Sequence, residues 1–341
     1  MRVALLTCLS LITLLARADD AGDPLFQTND VLEATLTAPL GELGKERDAE
    51  YVGATFEIHS ESEESQVFEV KVRPRGHLRL ETCKLPPLWL NFKKSQVKGT
   101  LFHKQDKLKL IVHCGDTIRY EQAVLREYLA YRILNLLTPE SFRVRLLRLR
   151  YIDSIGERDE QVRYAFVLEH KNRLGKRIGA KDLKIQETSV KALQPDHLNL
   201  TSLFQYLIGN TDFSPIAPAP YDECCHNYEL FERKGQELLI AIPYDFDQAG
   251  FVNAPYAIPA EQFRIETVRE RVFRGRCVNN AHIDASIARF QEARDDIFEM
   301  LETHEGMTKL TRSSLLRYVN AFYKIIDDPR KVEDRMTEEC I

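Results

Sequence analysis

Apolar Phe68, Val70 and Val72 alternate with polar Glu69, Lys71 and Arg73, the period of two that a half-buried strand requires. Shorter runs at 88–92 and 107–112 carry the same signal, so residues 51–112 are expected to form a small sheet. The period then lengthens. Val124, Tyr128 and Tyr131 recur at three- and four-residue spacing, predicting a helix over 120–137, and two further strands are expected at 142–152 and 162–169. The second half opens on a helix that Asp196 can cap, burying Leu200, Leu203, Phe204, Leu207 and Ile208 and stopping at Gly209. A loop with Asp212 follows. Strands at 227–232 and 238–242 around Lys234-Gly235 then read as a hairpin that delivers Tyr244-Asp245-Phe246-Asp247. Two amphipathic helices, 283–301 and 310–326, complete the order, with Phe290 and Ile297 in one apolar stripe and Val319 and Phe322 in the other. No repeat of solenoid period and no long linker interrupts it, so one large α+β domain is expected.

Composition narrows the class. The chain has 341 residues, 44% hydrophobic and 29% charged, which excludes a disordered or fibrous protein. Lys and Arg number 47 against 52 Asp and Glu, and the one Arg-rich stretch, 142–150, alternates with apolar residues as a strand does. Nucleic acid is therefore not an expected partner. At the N-terminus, Arg2 precedes an apolar run from Val3 to Ala16, followed by small residues at Ala16 and Ala18. Residues 1–18 are expected to be a cleaved export signal, because the run falls short of the roughly 20 residues a bilayer span needs. The mature chain is expected to lack a transmembrane segment and to be periplasmic, secreted or surface-bound.

Of the seven cysteines, Cys8 falls in that segment, leaving Cys83, Cys114, Cys224, Cys225, Cys277 and Cys340. An even number in an exported chain points to disulfides. Cys83 and Cys114 bracket two strand-like segments and are well placed to join; the remaining pairing is open. A zinc site on Cys224-Cys225-His226 is disfavoured, because adjacent cysteines cannot easily point at one ion.

The acidic loops Gly209-Asn210-Thr211-Asp212 and Asp245-Phe246-Asp247, with Asn227 on the hairpin between them, carry the strongest chemical signal. Carboxylates and a carboxamide at helix and strand ends suit a hard cation, Mg²⁺ or Mn²⁺; the structural alternative is a turn residue and solvated acids. An EF-hand is excluded, since Ala249 cannot ligate and Tyr256 stands where the bidentate Glu belongs. Glu127 shares a helix face with apolar residues and so needs a cationic partner, for which Lys109 is the first candidate and Lys93 the second. Lys109 is equally readable as an outward strand residue. Asn199-Leu200-Thr201 fits a glycosylation pattern but lies within an expected helix.

Sheet with lysine, helix with glutamate, strands, helix, aspartate loop, hairpin and Asp-Phe-Asp resembles the element order of a protein kinase, although Gly-x-Gly-x-x-Gly, His-Arg-Asp and Asp-Phe-Gly are missing. Arg75-Gly76, Phe166-Val167-Leu168-Glu169, Gly209-Asn210-Thr211-Asp212 and Pro243-Tyr244-Asp245-Phe246-Asp247 instead resemble the atypical exported kinases typified by spore coat protein H (CotH), over about residues 66–256. The resemblance implies an atypical protein-kinase-like two-lobe α+β fold with a helical C-terminal extension. Its parts would be an N-terminal extension at 19–50, an N-lobe-like region at 51–170 and a C-lobe-like region at 171–341. It implies transfer of the ATP γ-phosphate to a protein hydroxyl with Mg²⁺ or Mn²⁺. Asp212 would orient or deprotonate the acceptor hydroxyl, Asp245 would hold the metal, and Asn227 and Asp247 are further ligand candidates. Lys109 or Lys93 would contact phosphates, Glu127 would fix that lysine, and Glu169 would lie near the nucleotide. The alternative is a catalytically inactive kinase-fold protein of an envelope or coat, because Arg73-Pro74-Arg75-Gly76-His77 offers one glycine where phosphates are usually covered. A metal-dependent hydrolase is a third, weaker possibility.

Overall fold

Seven strands of the first half close on themselves. The computed structural model describes residues 23–43, 49–59, 64–218 and 223–341; the signal-like segment 1–18 lies outside the described residues. The strands are β1 (Leu32–Ala38), β2 (Val52–Ile58), β3 (Gln66–Pro74), β4 (Leu88–Phe92), β5 (Lys107–Ile111), β6 (Val144–Asp153) and β7 (Gln161–Leu168). They form a barrel in the order β1-β2-β3-β4-β5-β7-β6, closed by a parallel pairing of β1 with β6, Leu32 opposite Leu147. Alternate residues point inward and fill it, with Phe92 stacked on Phe102 at 4.8 Å and Phe56 and Phe68 edge-on around them.

The expected sheet is thus a barrel, and its first strand comes from the segment read as an extension. β1 escapes a period-two reading because Ala34, Thr35 and Leu36 are buried in succession. Two short helices were equally silent in the sequence: α1 (Leu78–Thr82), between β3 and β4, and α3 (Lys171–Ile178), after β7.

Helix α2 (Ile118–Leu137) packs on β6 and β7 and is buried on nearly every face, which dilutes its amphipathic pattern. Beyond α3, a three-stranded antiparallel sheet, β8 (Lys181–Leu183), β9 (Tyr228–Glu232) and β10 (Ile240–Pro243), lies beside α4 (Pro195–Ile208). Asp196 does not cap α4. Pro195 occupies its first position behind Gln194, and Asp196 sits in the first turn, where its charge complements the helix dipole. Gly209 ends α4 at a φ of +62°, with Tyr318 so close that any Cβ would meet its hydroxyl.

The expected helix 283–301 is two, α5 (Ile283–Glu292) and α6 (Arg294–Thr303), bent at Ala293 with neither Pro nor Gly to mark the break. α7 (Lys309–Ile326) matches its periodicity. Asn199 is buried and bonded to Asn279 and Ser286, which removes it as a glycosylation acceptor.

Disulfides join Cys83 to Cys114, Cys224 to Cys225 and Cys277 to Cys340. The first ties the end of α1 to the segment before α2, and by loop-closure entropy contributes about 3–4 kcal/mol. Such bridges fit an oxidising, extracellular setting. No helix among the described residues is long and apolar enough to cross a membrane.

Candidate functional site

The acidic loops are brought together by the elements that end beside them. At the exit of β10, the Tyr244 N–H donates to the Asn227 carbonyl at 3.0 Å, and Asp245 turns into the left-handed region at a φ of +59°. That turn is held from below, where the Asp245 N–H donates to the Tyr131 hydroxyl of α2 at 2.8 Å. Phe246 then drops into the core between Tyr131 and Phe204, at 4.5 and 5.2 Å, with Asp245, partly exposed, and Asp247, buried beside Arg79, on either side of it in sequence.

Asp212 follows α4 by a single turn. Asn210 accepts its N–H at 2.9 Å while donating to Gln205, and Arg274 donates to the carbonyls of Thr211 and Phe213 on either side. The Asp212 carboxylate meets His226 Nε2 at 2.7 Å and Asn227 Nδ2 at 3.1 Å. Successive side chains on a strand point apart; the left-handed φ of Asn227, +56°, breaks that alternation just before β9. Arg274 was not singled out in the sequence, and His226 was weighed only in the disfavoured zinc triplet, because neither stands at a recognisable spacing from Asp212.

The partner of Glu127 is Arg79, not a lysine. Arg79 projects from α1 and donates through Nη2 to Glu127 at 3.1 Å and through Nε to Asp247 at 2.6 Å, with Asp245 Oδ1 3.7 Å away. Its side chain is only 8% exposed and lies against the Tyr256 ring. Burial opposes the Arg79 charge, but the surrounding acids overcome it and hold the guanidinium firmly protonated. Burial pushes Glu127 up to about 8, against the pull of Arg79. Burial likewise raises Asp247, while Asp245, where burial also acts upward, is carried below the usual carboxylate range by Arg79, Arg75 and Lys109. The Asp245 carboxyl is thus shifted down and those of Glu127 and Asp247 up, although all three share Arg79.

Above Asp245 opens a cleft of about 600 Å³, lined in part by Arg73, Arg75, Trp89, Lys109, Asn227 and Asp245. Lys109 Nζ stands 4.3 Å from the Tyr244 ring and 5.9 Å from Trp89, and desolvation there lowers it to about 8. Lys93 is elsewhere: it is exposed and paired with Glu69. Glu169 also turns away from this cleft. Its carboxylate is buried against Arg177, with the Arg143 N–H donating to it at 3.0 Å, and it fastens α3 to the start of β6.

Among the described residues no group of three His, Cys, Asp or Glu converges on a metal-sized point. The donors that fit a hard cation are the Asp245 carboxylate, a third exposed, and the Asn227 carboxamide oxygen, whose nitrogen is spent on Asp212. Two oxygen donors suit Mg²⁺ or Mn²⁺ when phosphates and water complete the shell. Asp247 is less available, since Arg79 already holds one of its oxygens.

The mixed α+β chain thus sets the acidic loop residue Asp245 in a cleft that Arg73, Arg75 and Lys109 also line. Residues 174–331, which contain Asp212, Asn227, Asp245 and Asp247, match the family model described as CotH kinase protein, and over that part the chain is similar to the CotH kinase family. A solved structure of the proinflammatory kinase CtkA of Helicobacter pylori is 10% identical, with a TM-score of 0.40 over 86% of this chain and 95% of that one. No curated protein matches the chain.

Proposed function

We propose that the chain is an exported phosphotransferase that moves the ATP γ-phosphoryl group to a protein hydroxyl with Mg²⁺ or Mn²⁺. In this reading the barrel, with α1 and α2, is the upper lobe, and the chain from about residue 171 onward is the lower lobe with its helical extension. The supporting observation is that one cleft is lined both by Asp245 and Asn227 and by Arg73, Arg75 and Lys109, cations without an ion-pair partner among the described residues. Phosphoryl transfer needs little covalent chemistry from a protein, but it does need positioned cations around the phosphates. Lys109 and Arg75 hold the phosphates; Arg79 and Glu127 fix the loop bearing Asp245; Asp212 orients the acceptor hydroxyl and takes its proton. A divalent cation held by Asp245 and Asn227 would neutralise the charge that develops on the phosphate oxygens. The six paired cysteines and the apolar run before Ala18 support export.

Thermal unfolding of the oxidised chain with Mn²⁺ and ATP tests the reading. Ligand at 100 times its dissociation constant adds roughly 2.7 kcal/mol, and Asp245→Ala abolishes the gain. A flat response of the wild type at millimolar ligand would turn the reading to an inactive binding protein.

The lysine has its own signature. Above about pH 8 free Lys109 loses its proton, whereas a bound polyanion holds it protonated, so binding must take up a proton. Affinity for inorganic tripolyphosphate, followed by calorimetry, should be level from pH 7 to 8 and then fall by up to about tenfold per pH unit. Lys109→Met should remove that fall, and an unchanged slope in the variant would show that another group causes it.

A further inference from the structure

The basic residues of the cleft continue beyond it over the outside of the barrel. Strand pairing places Tyr51, Arg73, Trp89 and Lys109 in one row, since Val52 faces Val72, Arg73 faces Trp89 and Trp89 faces Lys109. The next row is Gly53, Lys71, Asn91 and Lys107. Arg75 prolongs β3 by donating its N–H to the Pro87 carbonyl at 2.8 Å. Lys71 and Lys107 are exposed and do not line the cleft. None of these five cations is ion-paired with a described carboxylate, whereas Lys93 and Lys94, at the far end of the same sheet, are paired with Glu69 and Asp106. A chain of net charge −5 therefore carries a concentrated basic face whose cations form no ion pair with a described carboxylate.

The aromatic residues decide between polyanions. The Tyr51 ring has Arg73 at 4.8 Å and Lys107 at 5.8 Å, and Trp89 has Arg75 at 5.7 Å and Lys109 at 5.9 Å. Rings occupied by cations are not open platforms for stacking a base or a sugar; they hold the charges in place. What remains is two rails of charge, Lys71-Arg73-Arg75 and Lys107-Lys109. Each repeats every second residue, roughly 6.6 Å apart, which is also the spacing of alternate side chains in an extended peptide.

From this we infer that the outer face of β3–β5 binds an extended acidic polypeptide segment, with carboxylates at alternate positions lying along the rails. Its use in presenting an acceptor hydroxyl to Asp212 rests on the phosphotransferase reading; the binding itself does not.

The test measures binding of fluorescent poly-L-glutamate to the full oxidised chain, beside heparin and an oligothymidylate. The wild type should bind polyglutamate most tightly and weaken as salt rises. Lys71→Glu with Lys107→Glu should weaken it by about tenfold or more. The same charge change at exposed positions off the face, Lys98→Glu with Lys191→Glu, should weaken it much less. Equal loss in the two double variants, absence of binding at low salt, or preference for heparin or the oligonucleotide would each overturn the inference. The Mn²⁺–ATP thermal response of the wild type is read separately, so loss of the phosphotransferase reading alone would leave the docking result standing.

Discussion

Replacing Arg79 with leucine is expected to destabilise the chain by about 3–5 kcal/mol at pH 7.5, the largest effect of any single substitution in the site. The guanidinium is buried and contacts Glu127, Asp247 and Asp245 at once, so its removal leaves acids packed together with no counter-charge. Surface ion pairs such as Lys93–Glu69 are worth far less, because water screens them. The pH dependence separates this cause from simple loss of packing. Without Arg79 the folded-state carboxyls titrate higher, so between the ordinary carboxylate range and those raised values the folded chain binds more protons than the unfolded one. Stability contributed by such groups is present at low pH and lost as pH rises. Glu127, raised to about 8 even in the wild type, already acts in that direction. The deficit should therefore shrink towards pH 5, and Glu127→Gln with Asp247→Asn should restore part of it at pH 7.5. Urea unfolding at the two pH values measures it, and an equal deficit at both would mean that packing alone was lost.

The second large effect concerns chemistry. Asp212→Asn keeps the size of the side chain and an oxygen that can still meet His226, but it removes the carboxylate that can take a proton. Transfer of γ-phosphate to an acidic serine-containing peptide, or to the chain itself, should fall by about 10²–10⁴-fold. Stabilisation by Mn²⁺ and ATP should survive, because neither Asp245 nor the basic face is touched. Asp245→Ala, by contrast, should lose both. Undiminished transfer in Asp212→Asn would remove Asp212 from the proton path.

The acidic half of the site was legible because its residues lie in short contiguous loops, each after a strongly patterned element. The apolar run of α4 ends at Gly209 and leads straight to Asp212, and the hairpin ends on Tyr244-Asp245. The cationic half was not. Arg79 sits on a five-residue helix, too short to show any periodicity, and the Cys83–Cys114 pairing, which ties that helix to the segment before α2, does not single out Arg79 as the partner of Glu127. The basic face was hidden for a related reason: Lys71, Arg73 and Arg75 lie more than thirty positions from Lys107 and Lys109, and no window of the sequence contains both sets.

By itself the sequence determined what depends on local pattern: α+β elements in kinase-like order, the CotH-like acidic loops, and an even set of six cysteines beyond the first eighteen residues. Tertiary structure decided which cation answers Glu127, where Glu169 points, that β1 closes a barrel, and which charges share a face. Local pattern follows from backbone periodicity and burial, which neighbouring residues report to one another. Partner choice follows from desolvation, since a buried charge takes whichever opposite charge the packing brings within reach, and here that is Arg79 rather than the lysine nearer in sequence.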